Sequence, residues 1–336
     1  MTSTPGPLKL DGVSLAALSR RHGLELRGAD ADVWHFARIR APRPKFQRVL
    51  TYITTAPYLD AFLQSGHEAA IIERRLWRDD LPQDRSWLVA DGPADDVFFA
   101  AHVDLVAGGG ASRVAAFFDG SSAVHPAATV MEHVHIGAHC RIDAGAVLYP
   151  NTVLGDRVHI KALAAIGGDG FEAKVIAGRR RIVPHTGGVF IGDDCSVGSS
   201  TCIDRGLFGT FTTVGAGSQI DNLIHIAHDV ETGEDCGVVA GAEISGSARL
   251  GRGVWFGPRA CCNHELEFGD YAYVGTGSVV TKSVPAHALV FGSPARQAGW
   301  ACRCRTRVGL ATGREACPKC GAVLELRGDG TVGIAP

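Results

Sequence analysis

No stretch of this chain approaches the roughly 20 consecutive apolar residues that a membrane-spanning helix needs. Residues 1–7 offer neither the basic start nor the apolar core of a secretory leader. These absences predict a cytoplasmic protein without a membrane span. Net charge is equally scant, at −2 over 336 residues. The one dense basic run, Gly178-Arg179-Arg180-Arg181, carries no interleaved aromatics, so it reads as a solvated loop and argues against nucleic acid as a partner. Collagen's every-third glycine is missing too, although the 43 glycines are a clear excess over ordinary usage. The chain must turn often.

A disulfide framework is not expected, because the ten cysteines fall into two unlike groups. Cys140, Cys195, Cys202, Cys236, Cys261 and Cys262 lie among small and apolar residues and suit packing. Cys302, Cys304, Cys317 and Cys320 form a compact set, a Cys-x-Cys pair and a Cys-x-x-Cys pair twelve residues apart. That spacing suits a structural tetrahedral zinc, with redox chemistry or free thiols as the alternative.

The glycines are explained by a period of six. Apolar residues recur at Val130, Ile136, Ile142, Leu148, Leu154, Ile160 and Ile166, resume at Ile191, Val197 and Ile203, and resume again from Val214 to Val280 with only Thr232 out of character. Six fits neither the 3.6 of a helix nor the alternation of a strand, and it predicts a parallel β-helix with one inward aliphatic per hexad. Upstream, residues 14–23 and 58–66 read as helices, and residues 69–72 and 86–90 as strands, of a small α/β unit ending near Gly108-Gly109-Gly110 or the Asp119-Gly120-Ser121-Ser122 turn. The expected division is 1–120, an α/β domain; 121–285, the β-helix; and 286–336, a tail with the cysteine module.

Two histidines share a phase within this repeat. His228 lies two positions after Ile226, and His264 two after Cys262, thirty-six residues later. With 18 residues per coil they would stand on one face two coils apart, leaving room for a reacting group between them. The polar neighbours Asn222, Asp229 and Asn263 favour a site there, whereas His225, His133, His135 and His159 read as surface residues of the coil. Asp229 is adjacent to His228, but consecutive strand residues usually face apart, so it carries little weight. A histidine zinc site would need a third ligand that the flanking sequence does not supply.

The repeat resembles the left-handed β-helix of hexapeptide acyltransferases, which implies three hexads per coil, a homotrimer and active sites between subunits. More narrowly, GGDGF at 167–171, CIDRG at 202–206, IDNLIHIAHDV at 220–230 and NHELEF at 263–268 are similar to the UDP-3-O-(3-hydroxyacyl)glucosamine N-acyltransferase family of lipid A biosynthesis. The resemblance implies His228 as general base, His264 as a substrate contact that assists the oxyanion, and Gly246 as the backbone N–H donor to that oxyanion. It further implies uracil binding by Tyr52 and Tyr58, with Thr55 where the family carries asparagine, and substrate contacts from Asp169, Phe171 and Asn222. Packing in a small core is the other reading of the two tyrosines.

The implied reaction moves an acyl group from a thioester, on acyl carrier protein or coenzyme A, to the amine of a UDP-linked amino sugar. The tail departs from the helical extension of carrier-dependent relatives and is similar to that of some acetyl-CoA-dependent nucleotide-sugar N-acetyltransferases, which makes short-chain transfer the alternative. Arg296, Arg303, Arg305 and Arg307 suit a CoA phosphate or an acidic carrier, and equally a solvated zinc module. A non-catalytic trimeric scaffold with a partner-recruiting zinc ribbon is the reading from another class.

Overall fold

The computed structural model describes residues 4–39, 48–109, 111–310, 313–328 and 330–335; Gly110 of the glycine triplet lies outside them. From Phe117–Phe118 onward the chain winds into a left-handed parallel β-helix of short strands stacked in three parallel sheets. Partners are eighteen residues apart, as in Ile136 with Leu154, Ile142 with Ile160 and Leu148 with Ile166. The hexad therefore corresponds to one side of a triangular coil.

The period has two physical sources. Inward aliphatics from Ile136 to Val280 stack into one continuous buried core, and truncating one of them to alanine costs on the order of 2–5 kcal/mol. The backbone then turns three residues after many of them through a left-handed conformation, as at His139, Asn151, Leu223, Asp229, Asp235 and Glu265. Glycine after the aliphatic answers a different need: a Cβ on Gly137 would lie 2.5 Å from the carbonyl oxygen of Gly155 in the next coil. Thr232, the polar residue in the inward column, is buried and accepts a 3.0 Å hydrogen bond from the Gly215 amide. Val130, in the first coils, is exposed.

Both interruptions of the repeat are excursions from the coil. Ile160 pairs with Val197, and Val197 with Ile220, before the eighteen-residue spacing returns at Val238. The first excursion carries an antiparallel hairpin, Ala173–Ile176 with Arg179–Ile182. The basic run thus belongs to an exposed strand rather than to an irregular loop. The second excursion contains Leu207 and Phe208.

These excursions seat the N-terminal unit on the coil. That unit has a five-stranded sheet, with Glu25–Arg27 antiparallel to Ser86–Ala90 and the remaining neighbours, Ala69–Glu73, Val49–Ile53 and His35–Phe36, parallel. Helix Leu15–His22 begins with Ser14 accepting from the Ala17 amide and ends on Gly23 in the left-handed region. The second helix is Ala56–Gln64, starting two residues before its sequence-based bound. A third, Ala94–Ala107, was not legible in the periodicity, because Phe98, Phe99, Ala101 and His102 are all buried. Ile176, Val183, Leu207 and Phe208 join its core with Leu15, Phe36, Phe98 and Phe99.

Past the last coil, Ala288–Gly292 extends one helical sheet and Ala295–Ala301 turns back on it. A three-stranded sheet of Arg314–Ala316, Val323–Leu326 and Val332–Ile334 completes the tail. Arg305 lies over the Trp255 ring at 4.2 Å and ties this module to the coil. Among the described residues no helix is long and apolar enough to cross a membrane.

Candidate active site

The repeat places His228, Gly246 and His264 in one column. Register pairs His225 with Glu243 and Glu243 with Cys261, so the residues three further on stack likewise, linked by bonds from the Ser247 amide to the His228 carbonyl (2.9 Å) and from the Glu265 amide to the Gly246 carbonyl (3.0 Å). The two histidines are two coils apart, as their phase predicts, with Gly246 between. A Cβ at position 246 would stand 2.9 Å from Cε1 and 3.0 Å from Nε2 of His228. Glycine there leaves the imidazole its place.

Asp229 turns toward His228 because it occupies a left-handed turn (φ 60°) rather than the next position of a flat strand. Nδ1–H of His228 donates to Asp229 Oδ2 at 3.0 Å. The other carboxylate oxygen accepts from the Leu207 amide at 3.2 Å and from the Thr210 hydroxyl. Burial alone would push the Asp229 carboxyl up, but these donors outweigh it and hold it at about 2. For His228, burial opposes the imidazolium, whereas Asp229 and then Glu172 favour it, and the net direction is upward. The pair fixes the tautomer and leaves Nε2 to face the cavity.

That cavity, about 660 Å3, lies between the coil, the first excursion and the N-terminal unit. Its lining includes His228, Gly246, His264, Phe171, Tyr52 and Tyr58. Tyr52 also packs on Phe98 with centroids 4.8 Å apart, so it is both a core ring and a cavity wall. His264 and Phe171 are exposed at the edge. Three of the expected contacts stand elsewhere. Thr55 is an exposed residue before helix Ala56–Gln64, Asn222 accepts from the Ser199 amide at 2.7 Å within a turn of the coil, and Asp169 pairs with Arg205 at 3.2 Å.

Several polar groups at the site carried no signal in the sequence. Glu172 and Lys174 come from the first excursion and Arg38 from the N-terminal unit, with Arg38 Nη2 2.6 Å and Lys174 Nζ 3.2 Å from Glu172 Oε1. Glu172 Oε2 faces His228 Nε2 at 3.7 Å. Burial raises the Glu172 carboxyl, but Arg38 and Lys174 outweigh it and keep the group below its ordinary value. His225, read as a surface residue, lines the cavity and meets Asp204 at 2.9 Å. His185 lies against the His228 ring with centroids 5.3 Å apart, its Nδ1–H donating to the Val183 carbonyl.

The cysteine set also converges. All four sulfurs lie within 4.8 Å of one another, with Cys302 to Cys320 and Cys304 to Cys317 each at 3.5 Å. A tetrahedron of ~2.3 Å Zn–S bonds has edges of about 3.8 Å, so the donors fit a metal of that size. Burial, with the neighbouring thiols, pushes Cys302 up to about 12, whereas Thr306 brings Cys304 down to about 6. Such a set ionises fully only around a cation. Of the six other cysteines, Cys140, Cys195, Cys236 and Cys262 are buried in the coil, while Cys202 is exposed and Cys261 half-buried.

Residues 123–168 match the family model described as bacterial transferase hexapeptide (six repeats). Among particular proteins, the chain is similar to the UDP-3-O-acylglucosamine N-acyltransferase of Caulobacter sp. (strain K31), 44% identical over 146 residues that cover 43% of this chain and 42% of the relative. The protein of the same name from Wolinella succinogenes is 37% identical over 156 residues, 46% of this chain and 49% of the relative. The motif-based family resemblance is borne out by these relatives, and the chain spans less than half of their length. A solved UDP-N-acetylglucosamine acyltransferase from Francisella novicida aligns with 55% of this chain and 70% of that one, at 21% identity and a TM-score of 0.46.

Proposed function

We propose that this protein is an N-acyltransferase that moves an acyl group from a thioester to the amine of a UDP-linked amino sugar, as in the lipid A pathway. The observation that carries the reading is the His228–Asp229 pair, whose free Nε2 opens onto a cavity walled by Gly246, His264 and two tyrosines. His228 takes a proton from the amine as its nitrogen attacks the thioester carbonyl carbon, forming the C–N bond. The Gly246 N–H and His264 stabilise the oxyanion of the tetrahedral adduct. When the C–S bond breaks, the proton passes from His228 to the departing thiolate.

In this reading residues 1–120 bind uridine through Tyr52 and Tyr58, residues 121–285 carry the transfer chemistry, and residues 286–336 form the tail. Phe171 contacts the substrate from the cavity edge, whereas Thr55, Asp169 and Asn222 do so only where the substrate extends beyond the cavity or a neighbouring subunit brings it to them. The protein acts in the cytoplasm as a homotrimer, with the cavity edge at His264 and Phe171 facing a neighbouring copy. The four tail cysteines hold a structural zinc, which supplies folding energy to a module with few buried apolar residues.

The donor is an acyl carrier protein or coenzyme A thioester. The strands Ala288–Gly292 and Ala295–Ala301 that follow the coil keep a second reading beside the first, a short-chain CoA-dependent enzyme. Purified protein offered UDP-amino sugars with carrier-linked and CoA-linked donors of matched chain length tests both. Transfer from the carrier-linked long chain supports the lipid A type, preference for acetyl-CoA supports the alternative, and no transfer from any donor contradicts enzymatic function.

A further inference from the structure

Glu172 is a second group aimed at the reacting atoms. Its side chain is only 12% exposed and is held from behind, because Oε1 is taken by Arg38 and Lys174. Oε2 remains, and it faces the nitrogen of His228 that would remove the acceptor's proton, 3.7 Å away. That distance exceeds a hydrogen bond and leaves a shared point from which a third atom reaches both groups.

From this geometry we propose that Glu172 binds the acceptor amine and makes the site selective for amines over hydroxyls. The assignment rests on the acyl-transfer reading of the same cavity. A nitrogen about 2.9 Å from both Nε2 and Oε2 would see them roughly 80° apart, so two N–H bonds reach both acceptors with bends of about 15°, inside the preferred range. A neutral amine has the two protons this requires and a lone pair left for attack. A hydroxyl has one proton. Given to His228, it leaves oxygen lone pairs facing an anionic carboxylate, which is repulsive in a shielded site. During transfer the proton on the His228 side leaves, and the one shared with Glu172 stays on nitrogen as the N–H of the amide product. Glu172 therefore neither gains nor loses a proton, and His228 remains the base.

The test compares wild type, Glu172→Gln and Glu172→Asp on two matched UDP-sugars that bear an amino group or a hydroxyl at the reacting carbon. Transfer is followed with an acyl thioester donor, and binding by calorimetry without donor. The expected result is a 10- to 100-fold loss of kcat/KM and a weaker Kd for the amino sugar in Glu172→Gln, with the hydroxy sugar little changed or improved. Glu172→Asp, which keeps the charge opposite Arg38, guards against loss of the fold and should fall between. Unchanged amine preference in a folded Glu172→Gln protein, or an equal loss for both sugars, overturns the assignment. Wild-type protein that binds the amino sugar in a Glu172-dependent way but transfers nothing overturns the acyl-transfer reading and supports the amine site.

Discussion

His228 donates from Nδ1 to the carboxylate of Asp229, the next residue in the chain, across 3.0 Å. Consecutive residues of a flat strand could not do this; the left-handed turn at Asp229 makes it possible. The bond settles which nitrogen is available for chemistry. Asp229→Asn should keep the packing yet remove the charge that favours the imidazolium, lowering the pKa of His228 and cutting transfer by about 10²-fold or more. NMR titration of the imidazole, alongside kcat, checks both effects. An unchanged His228 titration would separate the aspartate from the base.

The same pair makes stability depend on pH at both ends. The folded carboxyl of Asp229 sits at about 2 against an ordinary 3.8, so its contribution is present above 3.8 and is lost as pH falls toward 2. His228 shifts the other way. Its contribution is complete below 6.5 and is lost as pH rises through its higher folded value. Relative to Asp229→Asn, the wild type should gain stability between about pH 4 and 6.5, by about 2 kcal/mol. Urea midpoints across pH measure that difference, and a flat difference would show that the pair is energetically idle.

Catalysis should depend on pH in the opposite sense from the ion pair. A general base must be unprotonated, so kcat/KM should rise with pH through a pKa above 6.5. In Asp229→Asn this acid limb should move to lower pH while the plateau drops. A pH–rate profile with the UDP-amino sugar held constant reads both changes.

Gly246→Ala is a steric test of the column. The new Cβ would sit 2.9–3.0 Å from an imidazole that Asp229 prevents from swinging away. Transfer should fall at least 10²-fold with only a small change in melting temperature, since the coil's buried core is untouched. A fall in melting temperature that matches the loss of activity would point to general damage instead.

For the tail, elemental analysis should find about one zinc per chain, and Cys317→Ser should release it. Removal should loosen the small core of Val308, Leu324 and Val332 while the coil's circular dichroism persists. Substantially less than one zinc in wild type would remove the structural role.

Much of this architecture was legible in the sequence because its repeat is local. Six-residue spacing maps directly onto one face of a coil, and the phase of His228 and His264 follows from eighteen residues per coil. The cysteine pairs were legible for a similar reason, each lying within one short turn. What stayed hidden depends on distant segments meeting. Arg38 reaches Glu172 across 134 positions, and the docking of Ile176, Val183, Leu207 and Phe208 into the N-terminal core brings the two segments together. Asp229 was underweighted because strand geometry was applied to a residue that sits in a turn.

The most direct measurement is transfer of a radiolabelled acyl group from a thioester to a UDP-amino sugar by wild type and by His228→Ala. Wild type should form the amide, and His228→Ala should retain less than about 1% of that rate while keeping its fold and its binding of the sugar. Undiminished transfer in His228→Ala would contradict the account.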